Sequence, residues 1–247
     1  MGQMKTEFSS NQFESAYPDG IEKHWWSLSR THVLKQVIKS LVNLDQSVLE
    51  VGCGRGVVVK GLRDFGIKCN GVEISNVQPI SSMEEHIITG KEASEIPNRD
   101  DYDVILLLDV LEHISEPTIF LKKLSTDFPN VNRIIVTVPA REELWSNYDE
   151  HYGHFKRYTI EMLDFISHNI KWKIEKQSYF FHTLYFPAWI LTRIAKRRKI
   201  RINAPTGFNI ILHKLFSYVM IFDYILLPSK FIGTSVLCCM KRRDYEQ

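Results

Sequence analysis

The residues best suited to chemistry stand in one short stretch, Glu50-Val51-Gly52-Cys53-Gly54-Arg55-Gly56, with a second acid, Glu73, 17 residues beyond Gly56. Glycines between a strand and a helix let the backbone turn sharply and let a ligand approach the main chain. The helix expected after Gly56 would aim its first amides at the bound group. Glu73 closes the next apolar run, 68–74, where a carboxylate can accept both hydroxyls of a ribose. Strand, glycine turn, helix, strand and acid in this order point to a nucleoside site. They leave nicotinamide dinucleotides, flavin dinucleotides and S-adenosylmethionine all open.

The elements that must position these residues are legible as periodicities. Residues 29–42 repeat apolar side chains at three- and four-residue spacing (Val33, Leu34, Val37, Ile38, Leu41, Val42), which predicts a helix. Strands are expected at 47–51, 68–74, 86–89, 103–108 and 133–138, with helices at 57–65 and 116–124. Gly66 reads as a helix stop and Pro117 as a first-turn proline. The run 103–108 is almost wholly aliphatic, as in a strand covered on both faces. Alternation of this kind predicts a doubly wound α/β fold with a parallel sheet. A helix at 159–168, a strand at 171–181, two apolar helical stretches and a last strand at 234–240 break the alternation, so a strand pair should complete one sheet edge.

Composition narrows the class further. A chain of 247 residues with 44% hydrophobic and 24% charged residues can bury one sizeable core. A net charge of +2, from 31 basic and 29 acidic residues, gives no case for nucleic acid as a partner. Cys53, Cys69, Cys238 and Cys239 lack metal-ligand spacing, so no metal site and no disulfide scaffold is expected. Reduced thiols and a polar stretch at 1–17 suggest a cytoplasmic protein. The apolar segments 179–194 and 208–232 fall short of about 18 uninterrupted apolar residues. They are therefore expected not to span a membrane, although they could lie on one.

The glycine turn carries a family resemblance. Glu50-x-Gly52-x-Gly54-x-Gly56, with an acid directly before the first glycine, resembles motif I of class I S-adenosylmethionine-dependent methyltransferases. Dinucleotide-binding turns usually read G-x-G-x-x-G instead. Gly71-Val72-Glu73-Ile74-Ser75 is similar to that family's ribose-binding strand end. Glu92-Ala93-Ser94-Glu95-Ile96-Pro97 is similar to its Asp-Ala-x-x-Leu-Pro, with glutamate in place of aspartate. Tyr102-Asp103-Val104-Ile105 followed by Asp109-Val110-Leu111-Glu112-His113-Ile114 matches its motif after the fourth strand. The resemblance covers roughly residues 20 to 180.

It implies a mostly parallel, seven-stranded Rossmann-like sheet whose last strand is antiparallel, with an N-terminal helix and a C-terminal helical insertion. The chain divides as one domain, 1–247: a helical entrance at 20–46, a cofactor-binding core at 47–181, a helical cap at 182–232 and a final strand at 233–241. The implied S-adenosylmethionine site comprises Glu50, Gly52, Cys53, Gly54, Gly56, Glu73, Ile74, Glu92, Ala93 and Asp109. Glu50 would reach the methionine portion and Glu92 the adenine amino group. His24-Trp25-Trp26-Ser27-Leu28-Ser29-Arg30 resembles an aromatic entrance helix, in which Arg30 would pair with the ligand's carboxylate.

The methyl acceptor is expected near two polar clusters. His113, beside the expected sulfonium, is the first candidate general base, since a neutral imidazole can take a proton. The segment Gly153-His154-Phe155-Lys156-Arg157-Tyr158-Thr159 resembles a Gly-His-x-x-Arg-Tyr-Thr segment of similar proteins. Within it, His154 is a second catalytic candidate, Arg157 and Tyr158 are candidate acceptor contacts, and Thr159 a helix cap. The expected reaction moves a methyl group to an O, N or C atom of a small or lipid-like molecule. A non-catalytic S-adenosylmethionine-binding scaffold is the alternative. The insertion would roof the acceptor pocket, and its basic run Lys196-Arg197-Arg198-Lys199-Ile200-Arg201 could bring 184–232 to a membrane surface.

Overall fold

Aliphatic runs that cannot face water on either side dictate the centre of the molecule. In the computed structural model, which describes residues 9–43, 45–194 and 199–243, these runs form β1 (Val48–Val51), β2 (Cys69–Glu73), β3 (Ile87–Thr89), β4 (Val104–Leu108) and β5 (Arg133–Pro139). β6 (Trp172–Phe180) and β7 (Ser235–Arg242) complete a seven-stranded sheet of order β3-β2-β1-β4-β5-β7-β6. The first five strands are parallel, and β7 runs antiparallel between β5 and β6. The expected sheet and its reversed last strand are both present, with boundaries displaced by three residues or fewer. Three residues of the basic run, Lys196, Arg197 and Arg198, lie outside the described residues.

Strand alternation gives the sheet two cores. Ile105 and Leu107 of β4 face α4 (Pro117–Asp127) and α6 (Ile160–Asn169), against Leu121, Leu124, Leu163 and Ile166. Val104, Leu106 and Leu108 face the other way, into α2 (Trp25–Leu41) and α3 (Val57–Arg63), against Val33, Leu34, Val58 and Leu62. Every β4 side chain is buried, which is why its sequence shows no period of two. Thr159 caps α6 as expected, its hydroxyl accepting from Met162 N at 3.3 Å.

Some elements differ from the sequence reading. The helix expected at 29–42 starts four residues earlier, because the His24 side chain accepts from Trp26 N at 3.3 Å and caps it. The tryptophans and Arg30 are thereby one rigid piece with the core helix. A further helix, α1 (Ser10–Ala16), precedes it, closed by a reciprocal Ser9–Gln12 capping box. α5 (Asn147–Tyr152), within the polar cluster, is capped in the same way by Ser146 and Asp149. Between β6 and β7 stand α7 (Tyr185–Ile194) and α8 (Asn209–Leu226).

The glycine turn is held by sterics as well as by torsion. Gly56 has φ +83°, and a Cβ there would stand 1.9 Å from Ile87 Cδ1. Gly56→Ala should therefore lower stability by about 1–3 kcal/mol, through strain and overpacking together. Urea denaturation at neutral pH reads this, and an unchanged midpoint would show that the turn relaxes freely.

Candidate active site

β1, β2 and β4 end on the same edge of the sheet, and the cleft of about 260 Å³ beyond them is lined from these ends. Gly52 forms its floor with φ +75°, and a Cβ on it would approach Val110 Cγ2 to 2.8 Å. Only a bare backbone fits there. Glu73 is buried, and its two carboxylate oxygens accept from Gly54 N at 2.8 Å and Ser75 N at 3.0 Å. One side chain thus ties the glycine turn to the end of β2. The carboxylate stands in the lining of the cleft, where such a group can accept the two hydroxyls of a ribose.

Sequence-derived residues gather here, though in two shells. Gly52, Glu73, Ile74, Glu92, Ala93, Asp109 and His113 line the cleft. Glu50, Cys53, Gly54, Gly56 and Arg30 stand behind that lining. Cys53 fixes the β1–β2 spacing, since a Cβ on Gly71 would meet its Sγ at 2.5 Å. Glu92 accepts from the Ser94 hydroxyl at 3.3 Å at the far end of the cleft. Phe13 and Tyr17 of the N-terminal segment also line it, a contribution the sequence reading missed. The Ser9-x-x-Gln12 capping pattern and the four-residue spacing of the two rings carried that signal.

Behind the floor lies an unusual collection of charge. Glu50 is buried, and burial pushes its carboxyl up to about 8 although the Arg30 charge opposes this. Its Oε2 has no hydrogen-bond partner. Glu112 is 1% exposed, and burial, helped by the Asp109 charge, raises it well above the usual carboxylate range. Asp109 closes β4 in a left-handed conformation, φ +58°, and is raised by burial against the pull of Arg30. The expected pairing of Arg30 with ligand is corrected: its Nη1 donates to Asp109 Oδ2, and its guanidinium stacks 3.9 Å from the Trp26 ring centroid. Buried among acids, it is bound before any ligand arrives. A cation bearing a nearby apolar body fits what remains, with the orphan Glu50 oxygen as its acceptor.

The second polar cluster has a different use from the one expected. Arg157 donates Nε to Asp149 Oδ1 at 2.9 Å and Nη2 to Oδ2 at 3.0 Å, both groups buried. Its Nη1 donates to Ala140 O at 3.2 Å. Tyr158 is fully buried and donates its hydroxyl to Leu111 O at 2.8 Å. Neither lines the cleft, so the expectation that they touch the acceptor is corrected: both lock the segment after β5 under the end of β4. His154 stands against His113, which does line the cleft. Its Nδ1 lies 2.9 Å from Asp149 Oδ1, and its ring meets that of His113 edge-on, centroids 4.8 Å apart. Burial, reinforced by the His154 charge, pushes His113 down to about 3, so its imidazole is neutral at physiological pH.

Ligand atoms of Glu112, His113 and His154 lie within 4.8 Å of one another, the one such group among the described residues. A tetrahedral ion with bonds of about 2.1 Å needs ligand atoms about 3.4 Å apart. Holding a cation would require the three to draw together.

The comparisons with known proteins bear on the family and the fold. A family model described as a methyltransferase domain matches residues 26–177. The ubiquinone biosynthesis O-methyltransferase of Colwellia psychrerythraea is 23% identical over 146 residues, 47% of this chain and 59% of that one. That of Aeromonas salmonicida is 24% identical over 161 residues, 56% and 66% of the two chains. The chain therefore spans less than two thirds of the length of these relatives. The magnesium protoporphyrin IX methyltransferase of Synechocystis PCC 6803, solved with bound S-adenosylmethionine, shares the fold. Its TM-score is 0.52 at 14% identity, over 94% of this chain and 90% of that one.

Arg157 supplies a direct test of the locking role. Burial opposes ionisation of Asp149, but hydrogen bonds from His154 and Arg157 and the Arg157 charge hold it down to about 2. That stabilisation is complete above the unfolded value near 4 and is lost as the pH falls through about 2. Arg157→Met at neutral pH should cost about 3–5 kcal/mol, because it leaves a buried charge short of its partner. Adding Asp149→Asn should recover part of the loss. A cost below about 1 kcal/mol in urea denaturation would refute the lock.

Proposed function

The chain belongs to the methyltransferase-domain family, and on that premise we propose that it transfers a methyl group from S-adenosylmethionine to a hydroxyl oxygen of a small, lipid-like molecule. The observation that carries the donor half is the surplus of buried carboxylate at the cleft floor. S-adenosylmethionine brings an ammonium and a sulfonium, whereas a dinucleotide would set its anionic pyrophosphate at the same glycine turn, against Glu50. The oxygen acceptor rests on relatives named for O-methylation in ubiquinone biosynthesis.

When bound, S-adenosylmethionine supplies an electrophilic methyl carbon on its sulfonium. The chain's own residues hold and prepare the reactants. Glu73 receives the ribose hydroxyls, Gly52 lets the donor lie against the main chain, and Glu50 accepts from its amine. Val110, Ile114, Phe120 and Leu124 give the cleft apolar walls that exclude water from the transfer. His113 lines the cleft and would hold the acceptor hydroxyl with its neutral imidazole; the hydroxyl proton would leave as the carbon–oxygen bond forms and the carbon–sulfur bond breaks, its electron pair staying on the sulfur. His154, whose Nδ1 lies 2.9 Å from Asp149 Oδ1, stands edge-on against His113 and holds that ring in place. Much of the rate comes from positioning alone, since the donor is already activated.

Transfer of labelled methyl from S-adenosylmethionine to catechols bearing an apolar chain tests this reading. Transfer is expected, and His113→Gln should lower kcat by less than the roughly 10²–10⁴-fold of a base tuned to the working pH, because burial holds His113 down to about 3. Its donor affinity should stay unchanged. Glu73→Ala should instead weaken donor binding by about 1–3 kcal/mol in calorimetry. Tight donor binding with no transfer to any hydroxyl, amine or carbon acceptor would favour a non-catalytic scaffold.

A further inference from the structure

α8 is packed with its apolar side outward. Its inward residues are few: Ser217, Met220, Ile221 and Asp223 are buried, and His213 Nδ1 accepts from Trp25 N at 3.3 Å. Asp223 receives both His182 N and Thr183 N at 2.8 Å, which pins the helix to the start of the insertion. Phe208, Ile211, Leu215, Val219, Phe222 and Leu226 follow one another at three- and four-residue intervals, and each is more than half exposed. On α7, Phe186, Leu191 and Ile194 are exposed to the same degree. Scattered exposed side chains are ordinary, but a continuous stripe along the whole of one helix is not. No residue of either helix lines the donor cleft.

The charge of this insertion is as lopsided as its surface. Residues 182–234 contain eight lysines and arginines and a single acid, Asp223, whereas the remainder of the chain has 23 basic and 28 acidic residues. The one acid is buried and bound to backbone amides. The insertion thus joins a wide apolar stripe to an uncompensated positive charge, and the rest of the molecule is net negative.

We infer that the exposed face of α8 docks flat on an anionic lipid bilayer, with its apolar stripe in the acyl boundary and the positive charge of the insertion drawing it to the headgroups. This combination is that of interfacial helices. A second copy of the chain fits poorly, because it would set two strongly positive insertions against each other. Among the described residues α8 is the one helix long and apolar enough to cross a membrane, but crossing would strip away its contacts with α2 and with His182 and Thr183. Lying in the plane keeps them. The insertion also touches the polar cluster of the site, through Tyr185 Oη to Glu143 at 2.9 Å and Tyr152 Oη to Ile200 O at 3.2 Å. Docking would hold that side of the molecule at the lipid.

Vesicle flotation tests this without any acceptor or turnover, so its outcome is independent of the proposed reaction. The protein should float with vesicles of phosphatidylcholine containing about one third phosphatidylglycerol, and about tenfold less with phosphatidylcholine alone. Leu215→Glu/Phe222→Glu should abolish flotation while S-adenosylmethionine binding is retained. Phe208→Ser/Leu226→Ser, at the ends of the stripe, should weaken it in the same direction by a smaller factor. Absence of wild-type flotation, or flotation of both variants at the wild-type level, would overturn the inference. So would a wild-type dimer that the Glu variant turns into a monomer while flotation persists, which would assign the face to a second copy.

Discussion

Everything at the site depends on burying more carboxyl groups than the protein itself supplies with cationic partners. Glu50, Glu73 and Glu112 are buried and Asp109 partly so, around a single edge of the sheet. Facing them is Arg30, itself buried and bound to Asp109. Arg157, further back, is committed to Asp149. Burying a carboxylate without a full complement of partners raises its pKa, and Glu50, Glu73, Asp109 and Glu112 all shift in that direction. A protein tolerates such a cost where a ligand relieves it. The ligand that relieves this one is a cation.

The fold supplies the means of concentrating those groups. Parallel β1, β2 and β4 bring Glu50, Glu73 and Asp109 to the carboxyl ends of adjacent strands, where an open α/β sheet binds its ligand. Aliphatic β4, buried on both faces, makes that edge rigid. Arg30 crosses 79 positions of sequence to reach Asp109 because α2 is one unbroken helix lying on the same sheet. The segment after β5 is then fastened from below by Arg157 and Tyr158, leaving His154 to stand against His113. Specificity for the donor and placement of the imidazoles are thus set by different parts of the chain.

Much of this was legible in the sequence because it depends on backbone and periodicity. The glycine turn, Glu73 and the run ending at Asp109 are local patterns, and the parallel order of strands follows from their alternation with helices. Residues whose role depends on a distant partner were misread. Arg157 and Tyr158 sit in a polar loop and look exposed, yet they are buried because the chain doubles back after α5, bringing Arg157 onto Asp149 eight residues earlier, and because Leu111 O comes from elsewhere to meet Tyr158. Arg30 looked free for a ligand because nothing local reveals Asp109 as its neighbour. Phe13 and Tyr17 were overlooked because a seven-residue helix carries too little periodicity, although its capping box was visible. The insertion's apolar helices read as a roof over the site, since sequence tells which residues are apolar and not which way they face.

The central claim, that buried carboxyl groups short of partners select a cationic donor, is open to direct measurement by proton linkage. Free Glu50, held up to about 8, carries a proton at neutral pH, and an ammonium placed beside it would favour the carboxylate. Calorimetric titration of S-adenosylmethionine in buffers of different ionisation enthalpy, at about pH 7, should therefore show release of close to one proton. The release should fade above about pH 9 and vanish in Glu50→Gln. A binding enthalpy independent of buffer, or the same proton release in Glu50→Gln, would contradict the account.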